Sequence, residues 1–188
     1  MKNIKTLSIL FICLITTSIF AQKTVSGVTL PELKTIQGER LLLNGAGLRE
    51  KLWIDLYVGG LYLATKTSDA NEIINANKPM AITLNIVSGL ITSEKMISAI
   101  EEGFEKSTNG NQSKYQTKID EFISAFKEPI VNGNTFVIMY IPNKGTVVMK
   151  NDKILKTIEG LEFKKALFGI WLSDKPADKN LKNGMLGK

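Results

Sequence analysis

Arg49 and Tyr57 are the side chains best suited to gripping an anion. Arginine occurs only at Arg40 and Arg49, and every other basic residue is lysine. A guanidinium presents a rigid fork of donors that matches a carboxylate, and it stays charged at any ordinary pH. Tyr57 follows eight residues later, an even spacing that places both side chains on one face of an unbroken strand. Its hydroxyl could then donate to the carboxylate that Arg49 holds. In the competing reading, the face bearing Lys51, Trp53, Asp55 and Tyr57 is solvated, and Arg49 pairs with Asp55 or Glu50. Tyr62, a third candidate, has the opposite parity unless Gly59-Gly60 introduces a bulge.

The remaining chemistry is narrow. Residues 1–21 read as a secretory signal: Lys2 and Lys5, then an apolar run from Leu7 to Phe20, then Ala21 before a polar Gln22. The run is too short to expect a spanning helix, so no integral membrane segment is expected after cleavage. Cys13 lacks the preceding small residues of a lipid-attachment site. The expectation is an exported protein, periplasmic or secreted, with residues 22–188 forming one domain. The only cysteine leaves with the signal and the chain has no histidine. Neither a disulfide nor a metal or cofactor is therefore expected. Ser-His-Asp and Cys-His catalysis are excluded, which leaves acid–base work to Asp, Glu, Lys or Tyr. Net charge is +6 for the whole chain and about +4 without the signal, with lysines dispersed; no nucleic-acid partner is implied. Gly45-Ala46-Gly47 is no phosphate cradle, because Glu50 stands where a glycine is needed and no Walker lysine follows. It reads as a bend or bulge where two backbones approach.

These residues need elements to hold them. Val25 to Leu30 and Arg40 to Leu43 read as short strands, the second ended by Asn44-Gly45. Leu48 to Ala64 alternates as one long strand, and Met80 to Val87 is another. Thr92 or Ser93 caps a helix whose shared face carries Met96, Ile97, Ile100 and Phe104. A second helix aligns Tyr115, Ile119, Phe122, Ile123 and Phe126. Thr135–Ile141, Gly145–Lys150 and Lys153–Ile158 form a meander. Helices over Glu162–Trp171 and Asp178–Met185 follow. Strands on either side of a helical block predict an α+β domain, an antiparallel sheet covered by helices.

Leu43-Asn44-Gly45-Ala46-Gly47-Leu48-Arg49-Glu50-Lys51, followed by Tyr57-Val58-Gly59-Gly60-Leu61-Tyr62-Leu63, resembles the signature of chalcone-isomerase-like proteins. Val28-Thr29-Leu30-Pro31, Gly160-Leu161-Glu162-Phe163, Ala166-Leu167-Phe168-Gly169-Ile170-Trp171-Leu172 and Leu186-Gly187 agree with it. The likeness covers nearly all of residues 22–188 and is greatest to the exported bacterial branch. It implies an open-faced antiparallel sheet packed on a layer of α-helices, with a ligand cleft between them. It also implies that Arg49 lies in that cleft, either in an isomerase site or on the carboxylate of a fatty acid, with Tyr57 or Tyr62 as partner. The isomerases' active-site tyrosine, asparagine and late Ser/Thr fall on Thr92, Ala99 and Ile170, and only Lys95 is retained. With those donors missing, flavonoid cyclisation is not expected.

The resulting expectation is a non-catalytic protein binding a fatty acid or similar anionic amphiphile through Arg49, Tyr57 and Tyr62. One alternative is an isomerase or intramolecular lyase in which Arg49 stabilises an oxyanion and Tyr57 or Lys95 moves a proton. A second is a ligand-free envelope interaction protein, its cleft filled by Trp53 or phenylalanine side chains.

Overall fold

A computed structural model describes residues 22–188; the expected signal, residues 1–21, lies outside the described residues. Among the described residues nine strands and five α-helices are formed: β1 Lys23–Val25, β2 Val28–Leu30, β3 Leu33–Ile36, β4 Glu39–Lys51, β5 Ile54–Leu63, α1 Ala70–Asn75, β6 Met80–Ile86, α2 Ser93–Ser107, α3 Gln116–Ile123, β7 Thr135–Ile141, β8 Gly145–Lys150, β9 Lys153–Ile158, α4 Leu161–Leu172 and α5 Lys179–Met185. Strands β3 to β9 make one seven-stranded antiparallel sheet in sequence order, and β1 and β2 pair separately. Each strand thus lies beside its neighbour in the chain, which an antiparallel sheet permits with short connections.

Alternation along the strands sorts the side chains by face. In the central strands Ile82, Leu84, Phe136, Ile138 and Val148 point to the helices. Ala81, Val137, Met139 and Val147 point to the other side, where Leu30 joins them from β2. The curled sheet thereby builds two apolar clusters, so β7 reads as a continuous apolar run. Thr92 caps α2, its Oγ1 accepting from the Lys95 amide at 3.3 Å. Phe104, Phe122, Phe126, Phe136 and Phe163 form a chain of stacked, tilted and edge-on rings with centroids 4.8 to 6.2 Å apart, joining α2, α3, α4 and the sheet. Gly103 lets α2 approach α4, since a Cβ there would lie 2.7 Å from Ile170 Cγ2. Lys164, fully buried on α4, donates to the carbonyls of Ile73, Ile74 and Ala76 at 2.8, 2.9 and 2.9 Å. These carbonyls end α1 and would otherwise lack partners.

Several boundaries differ from the sequence reading. Val25–Leu30 is a hairpin around Ser26-Gly27, not one strand. Asn44-Gly45 does not end a strand; Asn44 is an extra residue bulged from β4, which continues to Lys51. Nor is Leu48–Ala64 a single strand, because the chain reverses at Leu52-Trp53. Both turn residues have positive φ, 52° and 65°. That is the two-residue hairpin geometry normally given to Asn-Gly or Asp-Gly. For side chains of this size it costs about 1–2 kcal/mol each, and it hid the turn. The aromatic stripe from Tyr115 to Phe126 is not one helix either: α3 is short, with 3-10 turns at Gln112–Tyr115 and Ser124–Phe126 carrying the ends. Strand β3 and helix α1 were not anticipated; the latter has only six residues.

Candidate functional site

Helix α5 lies across β4 and β5 where both expose glycine. A Cβ on Gly45 would fall 2.2 Å from the Gly184 carbonyl oxygen, and one on Gly47 3.0 Å from Leu181 Cα. The glycines therefore serve a close approach of backbones, not a phosphate. Asn44 uses its bulged position to donate to the Met185 carbonyl at 2.8 Å, tying down the end of α5. Asp178 starts the same helix: its Oδ1 accepts from the Leu181 amide at 2.8 Å. The other carboxylate oxygen, Oδ2, accepts from Arg49 Nη1 at 3.0 Å.

Arg49 and Tyr57 stand directly opposite each other on β4 and β5. They share the helix-side face as a cross-strand pair, not through spacing along one strand. Arg49 Nη1 also donates to the Glu50 carbonyl at 3.2 Å. Among the described residues, Nε and Nη2 make no hydrogen bond to protein, so much of the fork is uncommitted. The partner of Arg49 is Asp178 and, through the backbone, Glu50; Asp55 instead accepts from Ser26 Oγ at 2.6 Å. Tyr57 is buried and its hydroxyl accepts from Trp171 Nε1 at 3.1 Å. Burial raises its pKa, against lowering by the Trp171 bond and by Arg49, with Asp178 raising it further. The phenol stays protonated at neutral pH with its own proton available to donate.

Both residues open onto a cavity of about 420 Å³ between sheet and helices. Leu84, Ile138, Phe122, Phe126, Ile100 and Ile170 give it an apolar wall, while Arg49, Lys51, Lys95, Lys106 and Glu102 supply charge. That size and lining suit a small apolar ligand with one polar end. Glu102 is bonded to Lys106, which holds its carboxyl below the usual range, with smaller help from Lys51 and Arg49. Counting Asp178, four cations face two carboxylates, and the surplus is positive.

Not every candidate is brought here. Tyr62 lies in the cluster on the opposite face of the sheet, where its hydroxyl donates to the Pro31 carbonyl at 3.3 Å. Lys95 lines the cavity but donates to the Leu90 carbonyl at 3.0 Å. Ala99 and Ile170 also line it, placing hydrocarbon where the resemblance implied donors, and Thr92 serves as a helix cap. Trp53 does not fill the cleft; it is 94% exposed. Sequence reasoning missed Asp178 as the partner of Arg49 and Trp171 as the hydrogen-bond donor to Tyr57. The first was legible only as a helix start and the second only as part of an apolar stripe.

Among solved structures, that of a fatty-acid binding protein from Arabidopsis thaliana is similar, with a TM-score of 0.72. The match covers 88% of this chain and 96% of that one at 19% identity, and what it shows is the shared fold. No curated protein sequence matches the chain. A family model described as chalcone isomerase-like matches residues 22–187, the span that carries the sheet, the helices and the cavity. The chain belongs to the chalcone isomerase-like family.

Proposed function

We propose that the protein binds a fatty acid or a similar anionic amphiphile, without catalysis, in the cavity between sheet and helices. The observation that carries the reading is a largely apolar space with Arg49 in its wall, Nε and Nη2 unbonded, and the Tyr57 hydroxyl beside it. A carboxylate would take these donors as charge-assisted hydrogen bonds. The alkyl chain would lie along Ile100, Phe122, Phe126 and Ile138. The fold is shared with a protein described as fatty-acid binding, which supports the ligand class. Ala99 and Ile170 support binding over turnover, since neither offers a donor to a developing enolate. Export of residues 22–188 after cleavage behind Ala21 belongs to the same proposal. N-terminal sequencing of protein recovered outside the cytoplasm tests it.

Mass spectrometry of a denatured extract of the purified protein should detect bound lipid, and a fluorescent fatty acid should bind and be displaced by unlabelled fatty acid. An empty extract together with no uptake of the probe would sink the reading.

A further inference from the structure

Large apolar side chains that remain exposed are few among the described residues: Leu52, Trp53, Ile54, Leu90, Val131 and Ile154. Four of the six gather at one place. Leu52, Ile54 and Leu90 line the cavity, and Trp53 is the other half of the Leu52 turn. Leu52 is 80% exposed, Trp53 94% and Leu90 55%. The other two-residue hairpins show how unusual this is. Turns at Ser26-Gly27, Gln37-Gly38 and Asn151-Asp152 also have positive φ at both residues, and each uses residues that are polar or glycine. Leu52-Trp53 has neither the conformational fit nor the solubility of its counterparts, and strain of this kind concentrates where a segment has work to do.

Cationic side chains accompany the apolar tip. Lys51 precedes it, and Lys95 and Lys106 border the same cavity. Glu102 there pairs with Lys106, and Glu50 and Asp55 flank the turn, Asp55 bonded to Ser26. Lys51 and Lys95 are thus the cations of the rim without a carboxylate partner among the described residues. Tryptophan seeks the boundary between headgroups and hydrocarbon, and nearby lysines add attraction to anionic lipid. We propose that this rim is a docking surface for an anionic lipid bilayer, with the Leu52-Trp53 tip entering the headgroup layer. The charge complement favours a bilayer over a second copy of the chain, because two such rims would bring like charges together. Docking would set the cavity mouth against the lipid from which an amphiphile could enter; that consequence rests on the binding reading above, while docking itself does not.

The test uses protein beginning at Gln22, so that the apolar run in residues 7–20 cannot insert on its own account. Vesicles of phosphatidylcholine, with or without phosphatidylglycerol, are mixed with the protein. Trp171 is buried, so a blue shift of tryptophan emission reports Trp53. A shift with phosphatidylglycerol vesicles that weakens as salt is raised is expected. The variant Leu52→Asn/Trp53→Gly should lose vesicle co-sedimentation by about tenfold or more. It should also melt at a higher temperature, because Asn-Gly fits the turn, so its loss of binding is not unfolding. Vesicle binding indifferent to phosphatidylglycerol, or unchanged in the variant, would overturn the proposal. A dimer in size-exclusion chromatography that the variant dissolves would also overturn it, placing a second copy on the rim. Uptake of a fluorescent fatty acid in vesicle-free solution should persist in Trp53→Gly alone, because Trp53 is outside the cavity lining. Docking by a protein that takes up no fatty acid would uphold the surface and remove the cargo.

Discussion

Tyr57 and Tyr62 are five residues apart on β5, and both are buried, yet they belong to different parts of the molecule. Tyr57 faces the helices, opposite Arg49 and bonded to Trp171 beside the cavity. Tyr62 faces the other way, packed among Leu43, Ala46 and Met139 and bonded to Pro31. Burial is the first cause of a raised pKa in each; the field of Arg49 and Asp178 acts on Tyr57, and that of Glu32 on Tyr62. One face of the sheet is filled by its own side chains and those of the β1–β2 hairpin. The other is held off by helices and leaves space. A buried hydroxyl therefore points to a site only on the side that has room for a ligand.

The comparison can be broken most severely from the helix side. Gly45→Val would drive α5 off the sheet, because its Cβ would meet the Gly184 carbonyl oxygen. A loss of about 3 kcal/mol or more in urea unfolding is expected. Arg49→Ala comes next: affinity for a fluorescent fatty acid should fall by about 1.5–3 kcal/mol. An unchanged dissociation constant would show that the head group is held elsewhere.

The two tyrosines then serve as each other's control. Tyr62→Phe should cost about 1 kcal/mol of stability and leave fatty-acid affinity alone. Tyr57→Phe should cost about 1–3 kcal/mol, because it strands the buried Trp171 N–H, and should weaken fatty-acid binding as well. Equal effects on affinity would erase the distinction between the faces. The smallest effect is on pH dependence. Both folded-state pKa values lie above 10.0, the ordinary value. Their contribution is complete below pH 10 and declines above it, as the unfolded chain releases phenolic protons that the folded chain keeps. The Tyr62→Phe variant should show a shallower alkaline decline in urea titrations.

Parity and apolar periodicity carried most of the fold. The meander β7–β8–β9 was legible to the residue because Asn151-Asp152 is conventional turn chemistry. Leu52-Trp53 offers no such signal, so a hairpin passed for a strand. Arg49 and Tyr57 still fall on one face, by pairing across the turn. The Asp178 contact was not legible at all, since no local pattern links residues 129 positions apart. The cleft was expected from the family resemblance, not from the helices themselves: Ile100, Phe122 and Phe126 form stripes that look the same whether they meet other side chains or empty space.

The sheet is built in chain order, but the site is not. Arg49 meets Asp178 across 129 residues, Asn44 meets Met185 across 141, and Tyr57 meets Trp171 across 114. Bonds of such sequence separation close large loops, and their entropic cost must be met before any contact rewards it. A nascent chain that has yet to extend past Trp171 and α5 can pair every strand and still lack the clamp on Arg49. The Arg49–Asp178 contact therefore closes only once α5 has been synthesised, which makes the candidate site a late product of a sheet whose strands can pair early.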